Sequence, residues 1–221
     1  TVTDASGNPL SLAAAWAYGG DGVSAASNLT DANGHYSLNR LRTGNYAVRF
    51  RDGNPYAMEW YNNDAASFAA AMPVAVVAGA TTGGIDAALG TPGAIAGRVT
   101  NGSGDPIMGV QVMVFDPAGI ALQYGATDAS GNYYVGRLPT GSFHVQFNAA
   151  PAATGNFVSE YYADQRYLSD GTDVVVTAGE TTAGIDAVLA VAGTISGRVT
   201  AAGGAGLSGV SVHAFDLDSD L

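Results

Sequence analysis

The feature that most constrains this chain is an internal repeat with a period of about one hundred residues. The matching strings are TDANGHY at 30–36 with TDASGNY at 127–133, RLRTGNY at 40–46 with RLPTGSF at 137–143, and AGATTGGIDAAL at 78–89 with AGETTAGIDAVL at 178–189. A third copy begins with GTISGRVT at 193–200, which matches GAIAGRVT at 93–100. A chain built this way is expected to fold as a series of similar units.

The matches predict three pieces. Residues 1–90 form a β-sandwich repeat that lacks its first strand, residues 93–190 form a complete repeat, and residues 193–221 supply the first two strands of a third. The linkers Thr91–Pro92 and Val191–Ala192 are two residues long, so they leave little freedom between neighbouring units.

Within each copy, apolar residues alternate with polar ones at a period of two, which indicates strands. Turns rich in Gly and Asp recur every eight to twelve residues or so, and no segment keeps a helical period. The sequence therefore predicts an all-β protein of tandem antiparallel Greek-key sandwiches with seven to eight strands per repeat. The expected core positions are Val110, Val112, Val145, Phe147, Ile185 and Leu189, with Ala13, Ala15, Val48, Phe50, Ile85 and Leu89 as counterparts.

Four strings occur in order in these copies: GxIxGxVT, GVxV, TDxxGxY and LxTGx[YF]xVxF. Together they resemble the carboxypeptidase regulatory-like repeat, a family that is similar to collagen-adhesin B-type domains. The resemblance implies a prealbumin-like sandwich and a stalk or spacer role in a bacterial secreted or surface protein. Some B-type relatives carry a lysine isopeptide cross-link, which this chain cannot form because it contains no lysine.

The composition excludes several classes of protein. A net charge of -11 argues against a nucleic-acid partner, because phosphate binding needs clustered Lys and Arg. The chain has no cysteine for disulfides or thiolate metal sites. Its longest apolar run, Ala65 to Ala80, is interrupted by Pro73, so no membrane span is expected. Charged residues make up only 12%, about half the usual share, so much of the surface is expected to be covered.

No catalytic, cofactor or metal site is expected. The three histidines fall at positions that do not recur between copies, and no nucleophile pattern accompanies the few glutamates. Asp31 and Asp128 open TDxxG loops that faintly resemble the start of a calcium loop, but the late glutamate is missing. We interpret these loops as hairpins whose Asp accepts backbone N–H groups.

Two aromatic motifs are the most function-like elements, Glu59-Trp60-Tyr61 and Glu160-Tyr161-Tyr162. Trp60, Tyr61, Tyr161 and Tyr162 are candidates for a ligand or contact surface, since exposed rings beside a carboxylate can stack on sugars. Strand alternation favours a simpler interpretation, in which one ring of each pair faces the core and the other covers the sheet.

A second candidate surface lies on the strand that carries the GVxV string. Trp16 and Tyr18 in the first copy, and Met113 and Phe115 in the second, lie on the face opposite the core positions. Strands that are apolar on both faces are unusual in a simple sandwich. These four residues are therefore candidates for packing against a loop, a neighbouring repeat or another subunit.

The two ends of the chain are expected to be completed from outside it. Either more of the same long chain supplies the strands, or a neighbouring subunit adds its Gly193–Thr200 strand to the first copy. A longer array is favoured, because the tail also duplicates a strand that the first copy already has.

The leading hypothesis is a non-catalytic structural segment of an extracellular or cell-surface stalk or fibre, whose partner is itself. The alternative is an adhesin or carbohydrate-binding module that uses exposed aromatics near Trp60 and Tyr161, with glycans or host and cell-surface proteins as partners. A third possibility is an accessory domain of a secreted hydrolase.

Overall fold

The structure is a computed structural model that describes residues 1–51, 56–61, 67–149, 153 and 155–215. The chain divides into two compact units, Thr1–Val191 and Ala192–Leu221. The larger unit carries two sets of strands, which we call the first segment (residues 1–90) and the second segment (residues 93–190). The fold is all-β, as the sequence predicts.

The strands of the first segment are β1 (Val2–Asp4), β2 (Ala14–Tyr18), β3 (Ser24–Leu29), β4 (Gly44–Arg51), β5 (Glu59–Trp60), β6 (Val74–Val76) and β7 (Ala87–Leu89). A sheet runs in the order β3-β2-β4-β5, with β6 also paired to β4, and β1 pairs with β7. A short 3-10 helix, Phe68–Ala70, lies between β5 and β6.

The strands of the second segment are β8 (Gly93–Asn101), β9 (Gln111–Phe115), β10 (Ala121–Ala126), β11 (Asn132–Leu138), β12 (Gly141–Asn148), β13 (Glu160–Tyr161), β14 (Val174–Val176), β15 (Thr181–Thr182) and β16 (Ala187–Leu189). One sheet runs β10-β9-β12-β13 with β14 paired to β12, which is the same arrangement as in the first segment. The other sheet runs β11-β8-β15, with β16 also paired to β8.

The pairing differs from the sequence prediction in two ways. Three pairs are parallel, namely β1 with β7, β8 with β15 and β8 with β16, so the sandwich is mixed rather than purely antiparallel. The second segment has nine strands among its described residues, because the two-residue β15 also pairs with β8. Parallel partners are distant in sequence, and a period-two pattern does not identify them.

Burial follows the predicted alternation. Val110, Val112, Val145 and Phe147 are fully buried, and the other predicted core positions are buried as well, apart from Ile85, which is only half-buried. Each segment has its own cluster of buried apolar side chains. The strand register assumed in the sequence analysis is therefore confirmed.

Buried threonines brace the two segments in the same way. The Thr127 hydroxyl donates to the Ile107 carbonyl at 2.6 Å and accepts from the Val110 amide at 2.9 Å. Thr30 makes the matching pair of bonds in the first segment. Each of these buried hydroxyls both donates and accepts a hydrogen bond. Thr30 thereby links the loop before β2 to the loop after β3, and Thr127 links the loop before β9 to the loop after β10.

The segments differ around β8. In the second segment, β8 lies between β11 and the pair β15 and β16. In the first segment, residues 35–40 and 81–86, which match β11 and the region around β15, are not strands. Among the described residues of this segment, β1 matches only the C-terminal part of β8, and no strand matches Gly93–Gly97. The residues on the two sides of β8 form strands in the second segment, whereas their counterparts in the first segment do not.

In the smaller unit, residues 192–215 contain no strand, although two were expected from residue 193 onward. One turn is nevertheless formed, with a bridge between Thr200 and Gly206. Its Ala201 amide donates to the Ala205 carbonyl at 2.9 Å, as the Asn101 amide does to Asp105 in the second segment. A two-stranded piece without a sheet to join is marginal, which explains why only the turn persists.

Gly97 is predicted to be essential for the second segment. A Cβ atom at this position would lie 2.1 Å from the Ile185 carbonyl oxygen, which is backbone and cannot move aside cheaply. We expect Gly97→Ala to lower the free energy of unfolding by about 1–3 kcal/mol through this overlap. Chemical denaturation measures the change. Gly102→Ala is the control, since nothing lies within 4 Å of a Cβ there, and an equal loss in both variants would contradict the close approach.

Candidate functional site

The two aromatic motifs lie on the short edge strands β5 and β13. Each pairs with the long central strand of its sheet, so that Trp60 lies beside Arg49 and Tyr161 beside Gln146. Because side chains alternate along a strand, neighbouring rings in each motif point to opposite faces.

In the first segment, four rings and one guanidinium form a cluster on the sheet face opposite the core. We call it the Arg49 cluster. The Arg49 guanidinium lies 5.2 Å from the centroid of the Trp16 ring, 5.0 Å from Tyr18 and 5.4 Å from Trp60. Trp60 also makes edge contacts with Tyr18 at 5.2 Å and with Phe68 at 5.3 Å. Cation–π and edge-to-face contacts of this kind stabilise a packed surface.

The cluster is dry. Burial lowers the pKa of the Arg49 guanidinium, since desolvation disfavours its charge, and it raises the pKa of the Tyr18 phenol. Within the described part of the chain, Arg49 Nε and Trp60 Nε1 are buried without a hydrogen-bond partner. The guanidinium contacts three ring faces.

The expectation of an exposed ring at Trp60 is wrong, because this side chain is 0% exposed. Tyr18 and Phe68 cover it, so it is a covering residue of the sheet. Tyr61, on the other face of the strand, packs against the core of the first segment. One ring thus faces the core and the other covers the sheet, as strand alternation predicts.

In the second segment, the sheet face opposite the core carries two aromatic rings and a methionine. Phe115 and Tyr161 are half-buried with ring centroids 6.2 Å apart, and Met113 is also half-buried. Tyr162 packs against the core of the second segment. Other residues of the Arg49 cluster cover part of Trp16 and Tyr18. Packing of Trp16, Tyr18, Met113 and Phe115 between subunits stays a prediction.

Glu160 has a strongly perturbed carboxyl. Desolvation by burial raises its pKa to about 7, and the nearby charge of Asp164 adds to the effect. Its Oε1 atom is buried without a partner. No acid–base partner with a catalytic arrangement accompanies it among the described residues, so we assign it no chemistry.

A methionine joins the two segments. Met58 belongs to the first segment by sequence, yet it is 1% exposed and packs within the core cluster of the second. Its amide donates to the Arg137 carbonyl at 3.4 Å, while the neighbouring Ala57 amide donates to Gly90 at 3.0 Å. Full burial of such a side chain stabilises by about 1.5–3 kcal/mol.

A carboxylate makes the second connection. Asp116, at the end of β9, is 0% exposed. Its Oδ1 accepts from the amides of Ala118 at 3.0 Å and Ile120 at 2.8 Å, which closes its own turn. Its Oδ2 accepts from the amide of Phe68 at 2.9 Å, the first residue of the 3-10 helix in the first segment. Since Phe68 also packs on Trp60, this bond ties the turn to the Arg49 cluster.

We call Met58, Phe68 and Asp116 together the joint. Their role in connecting the two segments could not be predicted from the sequence. One signal was present, since the Phe-Asp pair at 115–116 recurs at 215–216, but a repeated Asp after a strand is also what an ordinary turn requires.

The TDxxG loops are hairpin turns, as interpreted from the sequence. The Asp128 carboxylate accepts from the amides of Ser130 at 2.8 Å and Asn132 at 2.9 Å, and Gly131 has a φ of +76°. Asp31 makes equivalent bonds, and these lower its pKa. The described residues contain no group of three or more potential metal ligands.

Residues 94–190 match the family model of the carboxypeptidase regulatory-like domain. The match confirms, for this part of the chain, the resemblance found in the sequence. A comparison with curated protein sequences finds no match.

Several solved structures are similar to the chain. The TIE protein of Bacillus anthracis is 15% identical with a TM-score of 0.36, and the alignment covers 86% of this chain but only 32% of that protein. A minor pilin of Streptococcus agalactiae is 12% identical, with 88% and 89% covered and a TM-score of 0.36. The shaft pilin SpaA of Lactobacillus rhamnosus GG is 11% identical, with 86% and 91% covered and a TM-score of 0.32. Values this low do not indicate a shared function.

No helix in the described ranges is long and apolar enough to cross a membrane.

The raised pKa of Glu160 predicts a pH-dependent stability. Between pH 4.5 and about 7 the folded state holds the Glu160 proton more tightly than the unfolded state does, so this group lowers stability as pH rises through that window. We expect Glu160→Gln to raise the free energy of unfolding by about 1 kcal/mol at about pH 8 and to have little effect at about pH 4. The value at pH 8 is small because solvent screens a partly exposed carboxylate. Denaturant titrations at both pH values measure the difference. Glu180→Gln, at an exposed side chain, is the control, and the same pH dependence in both variants would contradict the assignment.

Proposed function

We propose that this chain is a structural segment of an extracellular or cell-surface stalk or fibre, in which successive β-sandwich repeats hold one another in a fixed arrangement. Its role is mechanical and non-catalytic. The repeats are residues 1–90 and 93–190, and residues 193–221 begin a third.

The joint is the observation that carries this proposal. A spacer module needs neighbours that do not swing freely, and a two-residue linker alone does not ensure this. Met58 supplies a buried apolar contact across the joint, and Asp116 supplies a charge-assisted hydrogen bond to the Phe68 amide. A carboxylate with no exposed surface is costly to separate from its donors, so the bond resists opening.

The cover over the first sheet supports the same role. The Arg49 cluster places aromatic rings on this face of the sheet, and the Phe68 ring packs against Trp60. The 3-10 helix whose first amide donates to Asp116 is therefore itself packed against the sheet. The match of residues 94–190 to a regulatory-like domain family is consistent with a module that accompanies other domains.

The glycan-binding alternative loses its main support, because a buried Trp60 offers a sugar no ring face. Tyr161 remains half-exposed, but its ring lies against Phe115. Glycan-array binding by the full chain that is lost in Tyr161→Ala would favour that alternative over the structural role.

The joint is tested by Asp116→Asn. Asparagine keeps an oxygen for the turn amides but replaces Oδ2 with an NH2 group, which cannot accept from Phe68. A hydrogen bond to a charged group contributes about 1.5–3 kcal/mol, so we expect amide exchange at Phe68 to become at least about tenfold faster. Hydrogen exchange followed by NMR measures this rate.

The matched control is Asp128→Asn, where the carboxylate closes a similar turn through one oxygen. It is expected to leave exchange at Phe68 unchanged. Equal exchange rates at Phe68 in the unchanged chain and in Asp116→Asn would argue against a fixed joint.

A further inference from the structure

The two large sheets have outer faces, defined as the faces opposite the cores, that differ in chemistry between the segments. Four positions of the first outer face carry a larger or more basic side chain than the matching positions of the second. They are Leu29 against Ala126, Trp16 against Met113, Arg49 against Gln146 and Arg51 against Asn148. The first outer face is therefore both more apolar and more cationic than its counterpart.

Part of the first outer face is open. Phe68 covers the face only where it packs against Trp60. Beside that cover, Ala14 pairs with Leu29 on one neighbouring strand and with Arg51 on the other. Leu29 is 50% exposed, and Ala14 and Arg51 are half-buried. Because paired residues point to the same side of a sheet, these three form a continuous strip of accessible surface.

The two guanidiniums of this face lack an anionic partner. Within the described part of the chain, neither Arg49 nor Arg51 forms an ion pair with a carboxylate. Burial is the main cause of the lowered pKa of Arg49, and the positive charge of Arg51 also lowers it. Two like charges on one apolar face repel each other, so carboxylates on a docked surface would stabilise the face.

The second outer face carries carboxylates at one end. There Phe115 pairs with His144, and the His144 Nε2 atom lies 3.2 Å from Asp173 Oδ1. The Asp173 side chain is still 62% exposed. Asp170 is exposed at the same end, because a Cβ atom on the neighbouring Gly171 would lie 2.8 Å from the His144 ring. This end of the second outer face is therefore acidic.

The acidic end is particular to the second segment. The matching positions of Asp170 and Asp173 in the first segment are Ala70 and Pro73. Residues 93–190 as a whole contain nine Asp and Glu against three Arg. The basic end of one outer face and the acidic end of the other thus arise at different repeats of the same chain, and one copy offers both.

The positions of the charges select one way of placing the two faces together. Facing sheets pack with their strands nearly aligned. Arg51 lies where β2 begins, and His144 with Asp173 lies where β9 ends. If β2 of one copy runs antiparallel to β9 of the other, Arg51 comes opposite Asp173. The parallel orientation would bring Arg51 to the end that holds Gln111, which has no charge.

The apolar side chains match in size in the same orientation. Phe115 comes opposite Ala14, so a large ring meets a small side chain. Trp16 comes opposite Met113, whose flexible thioether packs well against aromatic rings. Alternation of large and small residues across facing positions allows two sheets to interdigitate. Charge and shape therefore favour the same orientation.

We propose that the outer face of the first segment binds the outer face of the second segment of another copy of this chain, with β2 and β9 antiparallel. The second copy is the occupant because its acidic end and its Phe115 complement the basic end and the Ala14 strip. Different surfaces of the two copies meet, so the contact is heterologous. The inference rests on the proposed structural role and adds lateral association between copies to it.

Sedimentation of the full chain over a range of concentrations tests the association. We expect association that rises with concentration and that weakens at least about tenfold in Arg51→Glu, because a carboxylate then faces Asp173. Arg42→Glu is the matched control, since it changes the net charge equally at an exposed position before β4, and it should associate like the unchanged chain. A chain that stays monomeric throughout, or equal weakening by both substitutions, would overturn the proposal.

An exchange of charges tests the pairing of the two ends. Asp173→Arg alone is expected to weaken association as Arg51→Glu does. The chain that carries both substitutions should associate at least about tenfold more strongly than either single variant, because opposite charges face each other again. A double variant that associates as weakly as the single variants would contradict the pairing.

Disulfide formation between copies tests the orientation, since the chain has no cysteine of its own. Chains with Leu29→Cys are mixed with chains with Ala121→Cys, because these positions face each other in the antiparallel orientation. Mixed dimers should form at least about fivefold faster than with Ala126→Cys, at the other end of the same strand. Equal rates would overturn the proposal. None of these results bears on exchange at Phe68, so the joint is judged separately by Asp116→Asn.

Discussion

Backbone pairing around β8 is the constraint on which the second segment depends. An extended strand inside a sandwich must place its N–H and C=O groups against neighbours on both sides, because leaving them buried and unsatisfied costs free energy. Between Gly93 and Asn101 the chain does this with β11 on one side and with β15 and β16 on the other. Gly97 permits the closest approach, and Tyr133 fixes the same region through its hydroxyl bond of 2.6 Å to the Ile185 carbonyl.

Two contacts of this region of the second segment recur in the first. Tyr36 still donates to the Ile85 carbonyl at 2.6 Å, and Phe50 still packs against the Tyr36 ring. The large sheet and its core are therefore present in both segments, while residues 35–40 and 81–86 of the first segment are not strands.

The sequence predicted the parts of the structure that depend on local pattern. The period of two placed Val145 and Phe147 inside, and turn chemistry explained Asp128. It did not predict the parallel pairing of β1 with β7, because residues more than eighty positions apart carry no local signal of their contact. Nor did it predict the joint, since nothing in the local pattern shows that Met58 enters another core or that the second oxygen of Asp116 reaches Phe68.

The central claim is that the first and second segments hold a fixed arrangement through the joint. The absence of cysteine from the sequence allows two spin labels to be placed cleanly, at Ser27→Cys and Ser130→Cys, both exposed. The distribution of distances between the labels, measured by pulsed electron paramagnetic resonance, is the most direct test. We expect one narrow distance that broadens when Met58→Ala and Asp116→Asn are combined. A distribution that is already broad in the unchanged chain, or that the two substitutions leave narrow, would contradict it.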